Sequence, residues 1–181
     1  MCIRDRFTVV EADEFDRSFL CLKPNLACIT SMDADHLDIY GTKSNLEKAF
    51  KKFSKLISSD DKLFVHASVC LPGLSYAVET PADFVAQNVR NINGAYEFDL
   101  KTPTRILKNL RFYLPGKHNL SNAVVALAMA MECGCNDSDL RLALETYLGV
   151  ERRFSYKIKN ESFVFIDAVS YTHLRAHETL L

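Results

Sequence analysis

A strand, helix, strand pattern is the feature that most limits how this 181-residue chain can fold. Two short apolar runs, NLACITS (25–31) and KLFVHA (62–67), are bounded by polar residues and predict β-strands. Between them, SNLEKAFKKFSKLI (44–57) repeats apolar residues at helical spacing and opens with a capping-box pair, Ser44 and Glu47. Strands joined through a helix pair in parallel. The pattern therefore predicts an α/β fold, with a mostly parallel Rossmann-like sheet flanked by helices.

Carboxylates gather just after two of the predicted strands. An earlier apolar run, 7–10, predicts a further strand, and four carboxylates follow it within 11–16, beginning with Glu11. The segment SMDADHLD (31–38) carries three aspartates and a histidine after the next strand. Open parallel sheets bind ligands beyond the carboxyl ends of their strands, and a divalent cation offsets the repulsion of clustered carboxylates. The alternative is that these side chains cap helices and line a solvated rim; the residues alone leave both open.

The second half of the chain changes pattern. Between 76 and 114 lie several β-type runs, DFVAQNV, AYEFDL and RFYL, with a turn signal, NING, between the first two. These predict an antiparallel portion added to the sheet. Two helices follow: an apolar one within GKHNLSNAVVALAMAMECG (116–134), and one capped by Asp137 or Ser138.

Composition narrows the class of protein. The net charge of -1, from 22 basic and 23 acidic residues, gives no basic surface for nucleic acid or an anionic membrane. We find no apolar run long enough to span a bilayer and no signal-peptide pattern, so we expect a cytoplasmic protein. The six cysteines are irregularly spread, which favours reduced, buried thiols over disulfides or a zinc site.

The segment GKHNLSN can contact a nucleotide base. Asn119 and Asn122 lie three residues apart at a predicted helix start, and their amides both donate and accept hydrogen bonds, as an adenine edge requires. His118, just before them, can stack on or bond the base. Simpler readings stand beside these: Asn119 as an ordinary helix N-cap, and His36 in the acidic segment as a hydrogen-bonded loop histidine.

Four motifs together resemble the Mur ligases. EADEFDRSFL, DADHLDIYG, GKHNLSN and GVERRF occur in the order and approximate spacing of that family, and the likeness covers about 7–167. DADHLDIYG favours the members that join L-alanine to UDP-N-acetylmuramate over those that recycle murein tripeptide. The resemblance implies a central ATPase domain of an ATP-dependent carboxylate:amine ligase of peptidoglycan synthesis, which works through an acyl-phosphate intermediate.

The resemblance also assigns six residues. It implies that two are catalytic and bind Mg²⁺, namely Glu11 and His36. It implies that four contact ATP, namely His118, Asn119, Asn122 and Arg153. Since magnesium prefers oxygen ligands, His36 can act through a water molecule.

Other features depart from the family pattern. The chain has no G-x-x-x-x-G-K-[ST] phosphate loop. MCIRDR (1–6) and AVSYTHLRAHETLL (168–181) resemble peptides translated from sequencing adapters, so we expect both to be artefacts. We assign 7–150 to a partial central ATP-binding domain and 151–167 to the start of a truncated C-terminal domain. An inactive fragment is expected; a catalytically dead nucleotide- or metal-binding module is the alternative.

Overall fold

The computed structural model of the chain describes residues 6–33, 37–92, 94–150, 155–159 and 164–167. Within these ranges strands and helices alternate and then give way to consecutive strands, as the sequence predicts. None of the helices in these ranges has the length and apolar content needed to cross a membrane.

Six strands form one mixed sheet whose spatial order follows the chain order. They are β1 (Ala27–Ile29), β2 (Leu63–His66), β3 (Leu74–Val78), β4 (Phe84–Ile92), β5 (Ala95–Lys101) and β6 (Ile106–Phe112). The first four pair in parallel, and β4, β5 and β6 pair antiparallel. Both the parallel sheet and its antiparallel addition are confirmed. Strand β3 was not predicted as a separate element.

Four α-helices accompany this sheet in the described chain. They are α1 (Leu37–Tyr40), α2 (Lys43–Ser54), α3 (Lys117–Glu132) and α4 (Asp137–Thr146). Short 3-10 helices lie at Ser18–Cys21 and Asp60–Lys62. Helix α2 connects β1 to β2, so the predicted strand, helix, strand unit is present with its parallel pairing.

The predicted helix caps are wrong by one or two residues. Helix α2 begins after Thr42, whose hydroxyl accepts a hydrogen bond from the Asn45 N–H at 3.3 Å, and Ser44 is already helical. Helix α4 is capped by Asn136, which accepts from the Asp139 N–H at 2.9 Å. In both places several adjacent residues have capping side chains, and the path of the preceding loop decides which one is used.

The sheet separates two hydrophobic cores. Side chains alternate between its faces, so Leu63 and Val65 of β2 pack on the α2 side while Phe64 packs on the α3 side. The α3 side is the larger core and includes Tyr76 and Leu120, both almost fully buried. The carboxyl ends of β1, β2 and β3 meet at one edge between these two cores.

The strand predicted at 7–10 is wrong. These residues form no regular structure and pair with none of the described strands, and Phe7, Val9 and Val10 are exposed. An apolar run becomes a strand only when a neighbouring strand completes its hydrogen-bond ladder. Glu11 therefore follows an extended segment rather than a strand of the sheet.

A separate pair of strands lies further along the chain. Strand β7 (Ser155–Lys159) pairs antiparallel with β8 (Val164–Asp167). Both fall within the segment assigned from sequence to the start of another domain. That domain assignment stays a prediction.

Candidate functional site

The acidic loop that carries Glu11 contains turn-forming carboxylates. The Asp13 carboxylate accepts from the Phe15 N–H at 2.9 Å, and the Asp16 carboxylate accepts from the Ser18 N–H at 2.8 Å. Hydrogen bonds from Ser18 lower the pKa of Asp16 below its ordinary value. Two of the four clustered carboxylates thus hold the turn, as the capping alternative predicted. Glu11 is exposed and is not used in this way.

This loop is fixed to helix α2. Phe19 is almost fully buried, with its ring 5.5 Å from that of Phe50 and 5.1 Å from that of Phe53. The Tyr40 hydroxyl donates to the Glu14 carbonyl at 2.6 Å. The backbone a few residues after Glu11 is therefore held in one place by apolar packing and a buried hydrogen bond.

The structure describes only one of the two predicted magnesium ligands, Glu11. His36 lies outside the described residues. In the described ranges no three His, Cys, Asp or Glu side chains are grouped closely enough to hold a metal ion. Asp33, after β1, accepts from the Ser31 hydroxyl at 2.6 Å. Glu11 offers an exposed carboxylate, a donor type that suits Mg²⁺.

A cavity of about 640 Å³ lies where β1, β2 and β3 end and α3 begins. Residues from or just after the three strands line one part of it: Thr30, His66, Ala67, Ser68, Tyr76, Ala77, Val78 and Thr80. Residues of the first turns of α3 line the rest: Lys117, His118, Ser121 and Asn122. This is the edge of a parallel sheet at which ligands characteristically bind.

The lining of the cavity is mixed in polarity. Ala67, Ala77, Val78 and the Tyr76 ring provide apolar surface, while hydroxyls and amides occupy the rim. A base ring buries its faces against apolar groups and keeps its polar edge for a few directed hydrogen bonds. The cavity has both kinds of surface.

Two of the three predicted base-contacting residues of GKHNLSN line the cavity. His118 and Asn122 do so, whereas the Asn119 amide donates to the Pro115 carbonyl at 2.7 Å. Asn119 is the third residue of α3, whose N-cap is Gly116, so the reading of Asn119 as the N-cap is wrong. The hydrogen bond from Asn119 to the Pro115 carbonyl instead holds the turn that leads into the helix. Arg153, the remaining predicted ATP contact, lies outside the described residues.

Gly116 sets the backbone conformation that leads into α3. Its φ of 98° lies in a region that L side chains rarely adopt. A Cβ at this position would also lie 2.7 Å from His118 Cε1, but His118 is exposed and its ring can turn away. The backbone conformation, rather than the imidazole, therefore requires a glycine here.

Sequence reasoning missed several residues of the cavity. His66 and Ser68 come at and after the end of β2, and Thr80 follows β3. Lys117 lies 3.5 Å from the Glu79 carboxylate, in an exposed ion pair beside the rim. The sequence did contain a signal for the residues at the end of β2. The rule that ligands bind beyond the carboxyl ends of parallel strands, which was applied to Glu11, applies to every such strand. For Thr80 the signal was hidden, because β3 had not been recognised.

Comparison with known proteins decides the family. The sequence profile described as the Mur ligase middle domain matches residues 5–130, which is more than half of the chain. The chain belongs to the Mur ligase family. It spans little more than a third of the length of its curated Mur ligase relatives.

Two relatives illustrate the likeness of this Mur ligase chain. A UDP-N-acetylmuramate--L-alanine ligase of Christiangramia forsetii is 57% identical over 169 residues, covering 93% of this chain and 37% of the relative. The same-named ligase of Flavobacterium psychrophilum is 52% identical over 166 residues, covering 92% and 37%. These identities extend across most of the chain.

Solved structures agree on the fold. UDP-N-acetylmuramate-alanine ligase MurC from Thermotoga maritima superposes with a TM-score of 0.73 at 22% identity, over 89% of this chain and 38% of that one. MurF from Acinetobacter baumannii gives 0.69 at 20% identity, over 90% and 38%. The mixed sheet with its flanking helices is thus the Mur ligase central fold.

A half-buried thiol contacts Tyr76, one of the residues that line the cavity of this Mur ligase chain. The Cys28 Sγ donates to the Tyr76 hydroxyl across 3.8 Å. Burial raises the pKa of Cys28 from 9.0 to about 11, against a smaller lowering by Tyr76, and burial also raises the pKa of Tyr76. The expectation that the cysteines are buried is wrong for Cys21, Cys70 and Cys135, which are exposed, whereas Cys28 and Cys133 are half-buried.

We expect Cys28 to react with iodoacetamide at pH 8 much more slowly than the exposed Cys70, because a pKa of about 11 leaves Cys28 with about 100-fold less thiolate than an ordinary cysteine has. Since burial disfavours the thiolate, the free energy of unfolding should fall as the pH rises from about 9 to about 11. Peptide mass spectrometry after timed alkylation gives both rates in one sample. Equal rates would show that Cys28 is neither buried nor shifted.

Proposed function

We propose that this chain is the nucleotide-holding part of an ATP-dependent ligase that joins L-alanine to UDP-N-acetylmuramate in peptidoglycan synthesis. The observation that carries the proposal is the cavity at the strand ends, lined by His118 and Asn122 from the start of α3. The names of relatives up to 57% identical support the choice of substrates. Those relatives favour the alanine ligases over the murein tripeptide ligases.

The base of ATP would lie in the cavity. Apolar surface from Ala77 and Val78 would cover one face of the ring, and the Asn122 amide would donate to and accept from its polar edge. His118, an exposed residue of the cavity lining, would stack on the ring or bond it. Asn119 would act by holding the turn through Pro115 rather than by direct contact.

Glu11 and His36 would hold the magnesium ion that accompanies ATP. An exposed carboxylate suits this ion, and His36 would reach it directly or through water. When bound, magnesium neutralises charge that develops on the transferring phosphoryl group. Arg153 would contact the nucleotide through its fixed guanidinium fork. These roles rest on the motifs shared with the family.

The reaction follows from the two substrates. The muramyl carboxylate would attack the terminal phosphorus of ATP and release ADP, which gives an acyl phosphate. The uncharged amine of L-alanine would then attack the acyl carbon, so that the C–N bond forms as the C–O bond to phosphate breaks and a proton leaves the nitrogen. Catalysis of such steps depends on positioning and charge stabilisation. We place this chemistry in the cytoplasm, where it would serve cell wall synthesis.

Residues 7–150 would form a partial central domain and 151–167 would begin the next. A nucleotide- or metal-binding module without catalytic activity is the second candidate. The cavity supports it equally, because binding a base does not by itself require phosphoryl transfer. Both candidates need the base cavity. An assay of ligation in a full-length protein that carries these residues together with a phosphate loop separates them.

The isolated 181-residue chain should bind adenosine weakly and should not ligate. We expect a Kd on the order of 1 mM for adenosine by NMR titration. ATP should bind no more than about threefold more tightly, because the amides that cradle phosphates are missing. No ADP should form with UDP-N-acetylmuramate and L-alanine present.

Turnover by the isolated chain would show that the phosphate loop is dispensable and would contradict our account of the reaction. Failure of adenosine to shift any resonance of the cavity would overturn the proposed base site. As a positive control, a full-length relative assayed in parallel should release ADP with the same substrates.

A further inference from the structure

We infer that His66 reads the nucleotide base, by presenting its Nε2–H as a donor to a ring nitrogen of the purine. This inference rests on the proposed function, because it names a specificity-determining residue of the same cavity. His66 belongs to none of the motifs that indicated a nucleotide site. Three observations on its placement, its hydrogen bonds and the opposite wall carry the argument.

His66 is rigidly placed at the edge where ligands bind. It is the last residue of β2 and lies opposite Tyr76 in the parallel pairing with β3. The two rings meet edge to face, with centroids 5.3 Å apart and planes 78° apart. Since Tyr76 is only 1% exposed, the imidazole packs against a fixed neighbour while remaining part of the cavity wall.

Hydrogen bonds with Ser68 select the tautomer of the His66 ring. The Ser68 backbone N–H donates to Nδ1 at 3.3 Å, and the Ser68 hydroxyl lies 2.8 Å from the same nitrogen. A backbone amide can only donate, so Nδ1 must carry a lone pair. In the neutral imidazole the proton is then on Nε2. His66 thus has a defined N–H donor, and neither bond uses it.

The lining of the cavity leaves the acceptor nitrogens of a purine to neutral donors, of which His66 is one. No acidic side chain is among the described residues that line it, and its one cationic side chain, Lys117, is paired with Glu79. A purine presents ring nitrogens that only accept hydrogen bonds, and it presents them at its edge. The Asn122 amide belongs to α3 and His66 to the strand ends, so a ring in the cavity can be bonded from two different elements.

Three substitutions separate the donor from the rest of the side chain. The amide nitrogen of glutamine overlies the position of Nε2, whereas that of asparagine overlies Nδ1. We expect His66→Gln to bind adenosine within about twofold of wild type. His66→Asn and His66→Phe should each lose about 3- to 10-fold, the usual worth of one hydrogen bond. Ser68→Ala removes the hydroxyl contact but keeps the backbone N–H that selects the tautomer, so it should bind adenosine within about twofold of wild type.

Deaza analogues of adenosine give a test that a structural role for His66 does not pass. Analogues with CH in place of N1, N3 or N7 are titrated by NMR into the full chain. One of the three analogues should bind wild type about 3- to 10-fold more weakly than adenosine does, whereas His66→Phe should bind that analogue and adenosine with equal affinity. The coupling identifies the nitrogen that His66 bonds. Ser54→Ala on α2, where the hydroxyl donates to a helical carbonyl, is the matched control for Ser68→Ala and should leave binding unchanged.

Each outcome decides between the two claims. If wild type binds no adenosine, the proposed function fails and this inference falls with it. Two results on a wild type that binds adenosine would overturn the inference alone. One is that His66→Phe binds adenosine equally well. The other is that each analogue weakens binding to His66→Phe and to wild type by the same factor. Thermal melts report whether each variant is folded. Should His66→Phe not fold, equal affinities of the isosteric His66→Gln and His66→Asn variants would overturn the inference.

Discussion

Replacing Glu11 by glutamine in a full-length ligase that carries these residues should reduce ligation more than about 100-fold, beyond the 10–100-fold typical of groups that only support a metal ligand. Glutamine keeps the size and most of the hydrogen bonding of glutamate but removes the charge that a cation needs. Folding should survive, because Glu11 is exposed and the loop is held by Phe19 and Tyr40. The measurement is ADP release against magnesium concentration.

Asp16→Asn is the matched control in the same loop. Asparagine keeps an oxygen that accepts from the Ser18 N–H, so the turn should persist and activity should stay within about threefold of wild type. High magnesium should partly rescue Glu11→Gln, since occupancy follows mass action. Equal activity of Glu11→Gln and wild type at limiting magnesium would show that the acidic loop is only a solvated rim.

Phe64→Ala should destabilise the chain by about 3–5 kcal/mol, the range for aromatic truncation in a packed core. Phe64 is fully buried in the middle of the parallel sheet, and its ring lies 5.6 Å from that of Phe84. Removing it leaves a void beneath α3 that the surrounding strands cannot close. Urea unfolding followed by circular dichroism gives the difference in free energy of unfolding.

Leu142→Ala provides the surface comparison for this experiment. Leu142 is 61% exposed on α4, so its truncation should change the free energy of unfolding by no more than about 0.5 kcal/mol. A similar loss for both variants would mean that the α3 side of the sheet is not the stabilising core of this chain.

Elements that bury one face were predictable from the sequence. Helix α2 and the strands on either side of it have apolar residues at the period of their structure, and that period records which side chains are inside. The antiparallel portion was marked by its turn signal. The same reasoning failed for 7–10, because a local apolar run does not show whether another strand lies beside it.

The candidate site was predicted from sequence only where a motif marked it. His118 and Asn122 belong to a recognisable segment and both line the cavity, although their roles stay predictions. His66 and Ser68 belong to no motif, so only the rule that ligands bind beyond the ends of parallel strands pointed to them, and the fold decides which strand ends meet at one edge. Asn119 shows a further limit: its amide was available for a ligand, but the nearby Pro115 carbonyl takes it.

Gly116 also determines how much sequence variation the base cavity can tolerate. A substitution to any residue with a Cβ is strained at a φ of 98° and must change the backbone at the start of α3, the helix from which His118 and Asn122 line the cavity. Selection acting on this one position would therefore act on the path of the chain into α3, even though a glycine has no side chain with which to touch a nucleotide. In a mutational scan of a full-length relative, this position should behave like a ligand-contacting one and accept almost no replacement, while the neighbouring exposed Lys117 accepts many.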